Sequence, residues 1–275
     1  MAGPEPNPFY PLPHCTMPSR LFHRLAVTLF FIASSALWTG ASAQFSSKST
    51  SQGNSTVTTP HVQAELVAHA PQGVRPGQPL WLGLQITHQP EWHTYWKNPG
   101  DSGLPTELTW QLPAGLDAGD IAWPVPHKIA IGTLANYGYE GTVLLPVPVT
   151  VAQTFAPGPL AKDVTVQLKA SWLVCRKECI PEEGHFTLQL PIQSTTALHS
   201  AAFDAAQKAQ PQPLAKASAQ QQAQVDGDAL QVRVAGLPAA LRGKTLDLFP
   251  ETPEVLHNAA DGTQRWEGDV WTARI

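Results

Sequence analysis

The residues of this chain with the clearest chemical potential are two cysteines four positions apart, in the run Trp172-Leu-Val-Cys175-Arg-Lys-Glu-Cys179-Ile-Pro181. Apolar alternation leads into Cys175 and resumes after Cys179. That pattern predicts a strand, a three-residue tip of Arg176, Lys177 and Glu178, and a returning strand. Residues flanking such a tip face each other about 5 Å apart at Cα, inside the span a disulfide accepts. A bridge here closes so short a loop that it removes little entropy from the unfolded chain, and so stabilises weakly. An exposed, strained bridge at a hairpin tip is of the labile kind, open to thiol–disulfide exchange. Arg176 and Lys177 favour a thiolate, and Glu178 opposes one. On the pair alone three uses stay open: redox exchange, a structural staple and metal ligation.

For metal ligation, a C-x3-C pair followed by a histidine on a β-sandwich is similar to the dinuclear copper site of cytochrome oxidase subunit II. That site needs a histidine four residues after the second cysteine and a methionine further on. Here the position is Glu183, the histidine is His185, and the two methionines are Met1 and Met17. The soft axial ligand is therefore missing, and zinc would need two more ligands from elsewhere in the fold. His61, His69, His88, His93, His127, His199 and His257 show no ligand spacing. Asp101 lacks a paired carboxylate or a suitable histidine in its sequence context. No metal and no other cofactor is expected.

The elements that position the pair are strands. Leu82, Leu84 and Ile86 alternate with polar or small neighbours. So do Val143 to Val151, Val164 to Val174, and Phe186 to Ile192. Period two over such lengths means strands with one buried face. Turn signals separate them at Arg75-Pro-Gly77, Asn98-Pro-Gly-Asp101, Pro113-Ala-Gly115 and Ala156-Pro-Gly158. The chain has 27 prolines and 20 glycines, which suits many turns better than a helical bundle. The expected fold is all-β, an immunoglobulin-like sandwich over residues 61–195. Residues 196–223 read as an Ala/Gln-rich linker with a short helix near Ala201–Lys208, stopped by Pro211 and Pro213. Residues 224–275 read as the start of a second β domain, apparently cut short. Charged residues make up only 14% and the net charge is −4, which argues against disorder and against nucleic acid as a partner.

The N-terminus reads as an export signal. Arg20, His23 and Arg24 precede the apolar run Leu25–Leu37, and Ala41-Ser-Ala43 is a cleavage site. The run is short for a membrane span. Met17 is the expected translation start, which would remove Cys15 and leave the exported chain with Cys175 and Cys179 as its only cysteines. Residues 44–60 are a polar, flexible lead-in. Export places the pair in an oxidising compartment, where a bridge is expected to close.

Four motifs in order carry a family resemblance: His93-Thr-Tyr-Trp-Lys-Asn-Pro-Gly-Asp-Ser-Gly-Leu-Pro105, Trp123-Pro-Val-Pro126, Asn136-Tyr-Gly-Tyr-Glu-Gly141, and Trp172-Leu-Val-Cys175 with Cys179-Ile-Pro181. Together they resemble the periplasmic N-terminal domain of the DsbD family of thiol:disulfide interchange proteins, in its ScsB-like branch, where the cysteine spacing is also C-x3-C. The resemblance implies catalytic roles for Cys175 and Cys179. Electrons would reach the pair from a thioredoxin-like domain, itself fed by a transmembrane domain, and pass to periplasmic client proteins. Cys179 would form the mixed disulfide and Cys175 would resolve it. The resemblance also implies a cap loop over the cysteines, which by order falls at Asn136, Tyr137, Gly138 and Tyr139. The block Trp92–Trp96 is expected to be structural, burying aromatic area at a sandwich edge. The competing reading is an exported β-sandwich that binds copper or a protein partner and carries a structural disulfide.

Overall fold

The computed structural model describes residues 54–214, 220–260 and 262–275. The predicted export signal, the start at Met17, Cys15 and the first part of the lead-in lie outside them. In chain order the strands are β1 (Thr56–Thr58), β2 (Val62–His69), β3 (Leu80–His88), β4 (His93–Gly100), β5 (Glu107–Gln111), β6 (Leu116–Ala118), β7 (His127–Ile131), β8 (Leu134–Glu140), β9 (Thr142–Val151), β10 (Asp163–Cys175) and β11 (Cys179–Pro191). Helix α1 (Ser200–Lys208) follows, then β12 (Gln221–Asp226), β13 (Ala229–Ala235), β14 (Thr263–Glu267) and β15 (Val270–Arg274).

The first eleven strands make the expected sandwich. One sheet runs β1-β2-β3-β9-β6 and the other β11-β10-β4-β8-β7, with β5 also on β10. The alternation read from the sequence is the packing itself. Val164, Val166, Leu168, Ala170, Trp172 and Val174 of β10 are buried, and Asp163, Thr165, Gln167 and Lys169 between them are exposed. They meet Ala64, Leu66, Leu82, Leu84, Ile86 and Leu145 of the facing sheet in one core. Proline at 181 and 191 is tolerated because β11 is an edge strand, where a missing N–H costs no ladder bond.

Helix α1 is packed rather than free. Phe203 is buried with Ala206 against Val67 and Leu144, on the outer face of the first sheet. Gly83 makes room for it: a Cβ there would stand 2.8 Å from Leu144 and 3.4 Å from the Phe203 ring. Burying a phenylalanine stabilises by roughly 2–3 kcal/mol, which holds this part of the predicted linker on the sandwich.

The last strands form an antiparallel sheet in the order β12-β13-β15-β14. Among its described residues Trp271 and Ala273 are the buried hydrophobic ones. The segment between β13 and β14 reaches the sandwich. Phe249 packs edge-on against Tyr137 and Trp96, at centroid distances of 5.0 and 6.4 Å.

Candidate functional site

Strands β10 and β11 are in register along their whole length and end on the pair Cys175–Cys179. The predicted three-residue tip is present, with the Arg176 N–H donating to the Glu178 carbonyl at 3.1 Å. A disulfide joins the cysteines, whose Cα atoms are 4.2 Å apart. The two sulfurs sit in different surroundings. Cys175 is 1% exposed, whereas Cys179 is exposed. Below the tip, Glu182 ties the hairpin to the rest of the sandwich. It accepts from Thr59 Oγ1 at 2.6 Å and Trp172 Nε1 at 3.2 Å, and meets His61 Nδ1 at 2.7 Å.

Cys175 also joins β10 to β4, through the single register pair Cys175–His93. Partners directly opposite in an antiparallel ladder point to the same face. His93 and, two residues on, Tyr95 therefore share the face of the sulfurs. The Tyr95 hydroxyl lies 3.5 Å from Cys179 Sγ, and the His93 and Tyr95 rings meet edge to face at 5.2 Å. Both side chains are buried. Burial pulls the His93 imidazole down to about 4, with the nearby His88 adding to the effect, so it is neutral at pH 7. Burial raises the Tyr95 phenol, opposed by a Ser102 hydrogen bond, so it remains protonated and able to donate. At the tip, the Arg176 guanidinium stacks over Trp92 at 5.3 Å and reaches Glu91 at 3.3 Å. Its charge is thus shared with a carboxylate.

The segment expected to cap the cysteines is placed differently. Asn136, Tyr137, Gly138 and Tyr139 are the interior of β8, not a loop. Register explains why its two rings cannot cover the pair. Thr94 pairs with Tyr139, and Tyr95 pairs with Gly138. Tyr139 and Tyr137 therefore take the inward parity of Thr94 and Trp96, while the sulfurs share the outward parity of Tyr95. Both tyrosines belong to the core. Tyr139 donates to the Pro124 carbonyl at 2.7 Å, within the Trp123–Pro126 motif, and Tyr137 donates to Asn258 Oδ1 at 2.8 Å. Gly138 is required by close approach, since a Cβ would lie 2.1 Å from the Thr94 carbonyl oxygen.

The residue that does touch the pair, Tyr95, came from the block expected to be structural. That expectation holds for Trp92 and Trp96, which are core. The alternation of those tryptophans points Tyr95 the other way, but its contact with Cys179 crosses 84 positions of sequence and depends on strand pairing. The turn after β4 also does more than reverse the chain. Gly103 lies flat on the Tyr95 ring at φ +108°, and a Cβ there would stand 2.2 Å from the ring. Two residues along each hairpin strand from the pair, Leu173 and Pro181 line an open groove together with Leu104, Pro105, Glu107 and Glu183. His185 is six residues along β11 from Cys179, roughly 20 Å at the rise of a strand, so it does not complete a ligand set with the pair.

A buried sulfur bonded to an exposed one, under a neutral phenol donor, is arranged for nucleophilic attack from solvent on the exposed sulfur. The solved N-terminal periplasmic domain of ScsB from Proteus mirabilis has the same fold, with a TM-score of 0.58 at 17% identity, covering 81% of this chain and 83% of that one. Among curated proteins none matches. The sequence profile described as thiol:disulfide interchange protein DsbD, N-terminal, matches residues 61–191, which include the whole hairpin and the β4 motif. Residues 61–191 of this chain therefore belong to the DsbD N-terminal family, and form a thiol:disulfide interchange domain with Cys175 and Cys179 as its cysteine pair.

Proposed function

We propose that this domain relays electrons by thiol–disulfide exchange in the periplasm, from a thioredoxin-like dithiol to disulfide-bonded client proteins, with Cys179 as the sulfur that partners attack. The observation that carries the reading is the asymmetry of the pair: Cys179 exposed, Cys175 1% exposed. In the loading half, a donor thiolate attacks Cys179 Sγ. A new S–S bond forms, the Cys175–Cys179 bond breaks, and its electron pair leaves on Cys175, which takes up a proton. The donor's second thiolate then attacks the donor sulfur of the mixed disulfide and Cys179 departs as a thiolate. The donor ends as a disulfide and this pair as two thiols. In the delivery half, the Cys179 thiolate attacks a client disulfide and Cys175 attacks Cys179 to release the reduced client. The groove of Leu104, Pro105, Leu173 and Pro181 gives an approaching protein apolar area along the same hairpin.

The family further supports a donor fed through a membrane domain of the full-length protein, and clients concerned with disulfide reduction, cytochrome c maturation or copper tolerance. The test is trapping. Cys175→Ser, with Cys179 activated as an aryl mixed disulfide and then mixed with a thioredoxin-like protein whose second cysteine is replaced by serine, should accumulate a stable mixed disulfide through Cys179, while Cys179→Ser treated in the same way should accumulate almost none. The wild-type bridge should equilibrate with thioredoxin, at a potential less negative than about −300 mV. A bridge that resists thioredoxin is a staple, and the competing reading of an exported binding module would then stand.

A further inference from the structure

A continuous chain of contacts runs from the C-terminal β segment to the exposed sulfur. Asn258 stands at one end. Its amide donates to Asp101 Oδ1 at 2.7 Å, and its carbonyl accepts from Tyr137 at 2.8 Å. Asp101 is pinned on its other side by β8: its Oδ2 accepts from the Ala135 N–H at 2.8 Å, and its own N–H donates to the Ala135 carbonyl at 3.1 Å. The next residue, Ser102, donates from both N–H and Oγ to Asn136 Oδ1, at 3.1 and 3.0 Å. Gly103 then lies against the Tyr95 ring, and the Tyr95 hydroxyl ends the chain at Cys179 Sγ. A second clamp acts just upstream. Asn98, buried, donates to the Pro250 carbonyl at 2.7 Å while its own oxygen accepts from Gly100 at 3.1 Å. The stretch Asn98–Gly103 is thus gripped at both ends, by Phe249–Asn258 on one side and by Tyr95 on the other.

We propose that Asn258 is a positioning residue for the exchange reaction: the C-terminal β segment, by holding the Asp101–Gly103 turn, fixes the Tyr95 hydroxyl on Cys179 and so stabilises the Cys179 thiolate. The inference rests on the exchange reading above and deepens it. Cys179 is the sulfur that leaves as a thiolate in loading and attacks as one in delivery. A hydrogen bond donated to that thiolate favours the charged form. Asn258 and Ser102 touch neither sulfur and act only through Tyr95.

The experiment measures the rate of alkylation of Cys179 against pH in the reduced full chain, in a background of Cys15→Ser and Cys175→Ser so that one thiol reacts. Tyr95→Phe should raise the Cys179 pKa by about one unit. At pH 7 the alkylation rate should then fall about threefold, because the tenfold loss of thiolate is partly offset by its greater nucleophilicity, and at high pH the rate should exceed that of the parent by a similar factor. Asn258→Ala and Ser102→Ala should shift the profile the same way, by about half as much. The two substitutions break the chain at different links, and Ser102→Ala leaves the C-terminal segment untouched, so unfolding of that segment cannot mimic both. In the Tyr95→Phe background, Asn258→Ala should have no further effect, since contacts in one chain are not additive. An Asn258→Ala profile equal to the parent, or an effect that persists undiminished without the Tyr95 hydroxyl, overturns the proposal. Either result leaves the exchange reading intact if the wild-type bridge still equilibrates with thioredoxin.

Discussion

Gly103 shows how much of this site hangs on a single missing side chain. Its φ of +108° is a conformation other residues rarely adopt, and the space a Cβ needs is already filled by the Tyr95 ring. Gly103→Ala should therefore destabilise the fold by about 2 kcal/mol, combining backbone strain with overpacking. It should also push Tyr95 off Cys179. Urea unfolding gives the first quantity, and loss of the Cys179 pKa effect of Tyr95→Phe in the alanine variant gives the second. In the sequence Gly103 reads only as part of a turn-rich stretch. Nothing local marks it as a contact for a tyrosine eight residues earlier, because that contact needs β4 to end and the chain to fold back over its own outward face.

At the scale of elements, β4 is the strand that makes the hairpin a site. It brings His93 opposite Cys175 and Tyr95 to Cys179, while Trp92, Thr94 and Trp96 face the core. The buried His93 makes β4 sensitive to pH. Its folded pKa of about 4 lies below the ordinary 6.5 of the unfolded chain. Between those values the unfolded state binds more protons, so stability rises with pH and falls as pH drops through 6.5, the loss levelling off below 4. From pH 8 to pH 5 this amounts to about 2 kcal/mol. His88, also lowered by burial, acts in the same direction. Urea midpoints measured over that range should fall towards acid, and His93→Phe should flatten the slope without abolishing it. An unchanged slope in the variant would remove His93 as the cause. The strand β8 teaches a related lesson. Its aromatic-Gly-aromatic run read as a bendable cover, yet pairing with β4 assigns both rings to the interior.

For the whole molecule, the disulfide is a chemical device on an independently stable scaffold. The sandwich has a continuous core from both sheets, and the bridge spans a sequence separation of only 4. Chain entropy assigns such a loop about 2 kcal/mol, a modest part of the roughly 5–15 kcal/mol of a folded domain. Cys175→Ser and Cys179→Ser should therefore stay folded, with a cooperative thermal transition lowered by only several degrees. Unfolding at room temperature would instead make the bridge a staple. The C-terminal β segment stands in the opposite position. Few of its described hydrophobic residues are buried within its own sheet, and Phe249, Pro250 and Asn258 tie it to the sandwich.

Strand alternation and the cysteine spacing were local properties, and so the all-β fold, the β10–β11 hairpin, its three-residue tip and the closed bridge could be read from the sequence alone. Period two is a consequence of backbone geometry and needs no knowledge of partners. The short helix expected near Ala201–Lys208, and found at Ser200–Lys208, was readable from local Ala-rich composition and the prolines that follow, though not that Phe203 would be buried against Val67 and Leu144. Tertiary structure decided which strand lies beside the hairpin and in which register. A shift of one residue between β4 and β8 would exchange the faces of Tyr95 and Thr94, and with them the identity of the group at the sulfur. That register is set by long-range packing of the tryptophans and tyrosines in the core. No run of neighbouring residues encodes it, which is why Cys175 and Cys179 could be named from the sequence while Tyr95, Gly103 and Asn258 could not.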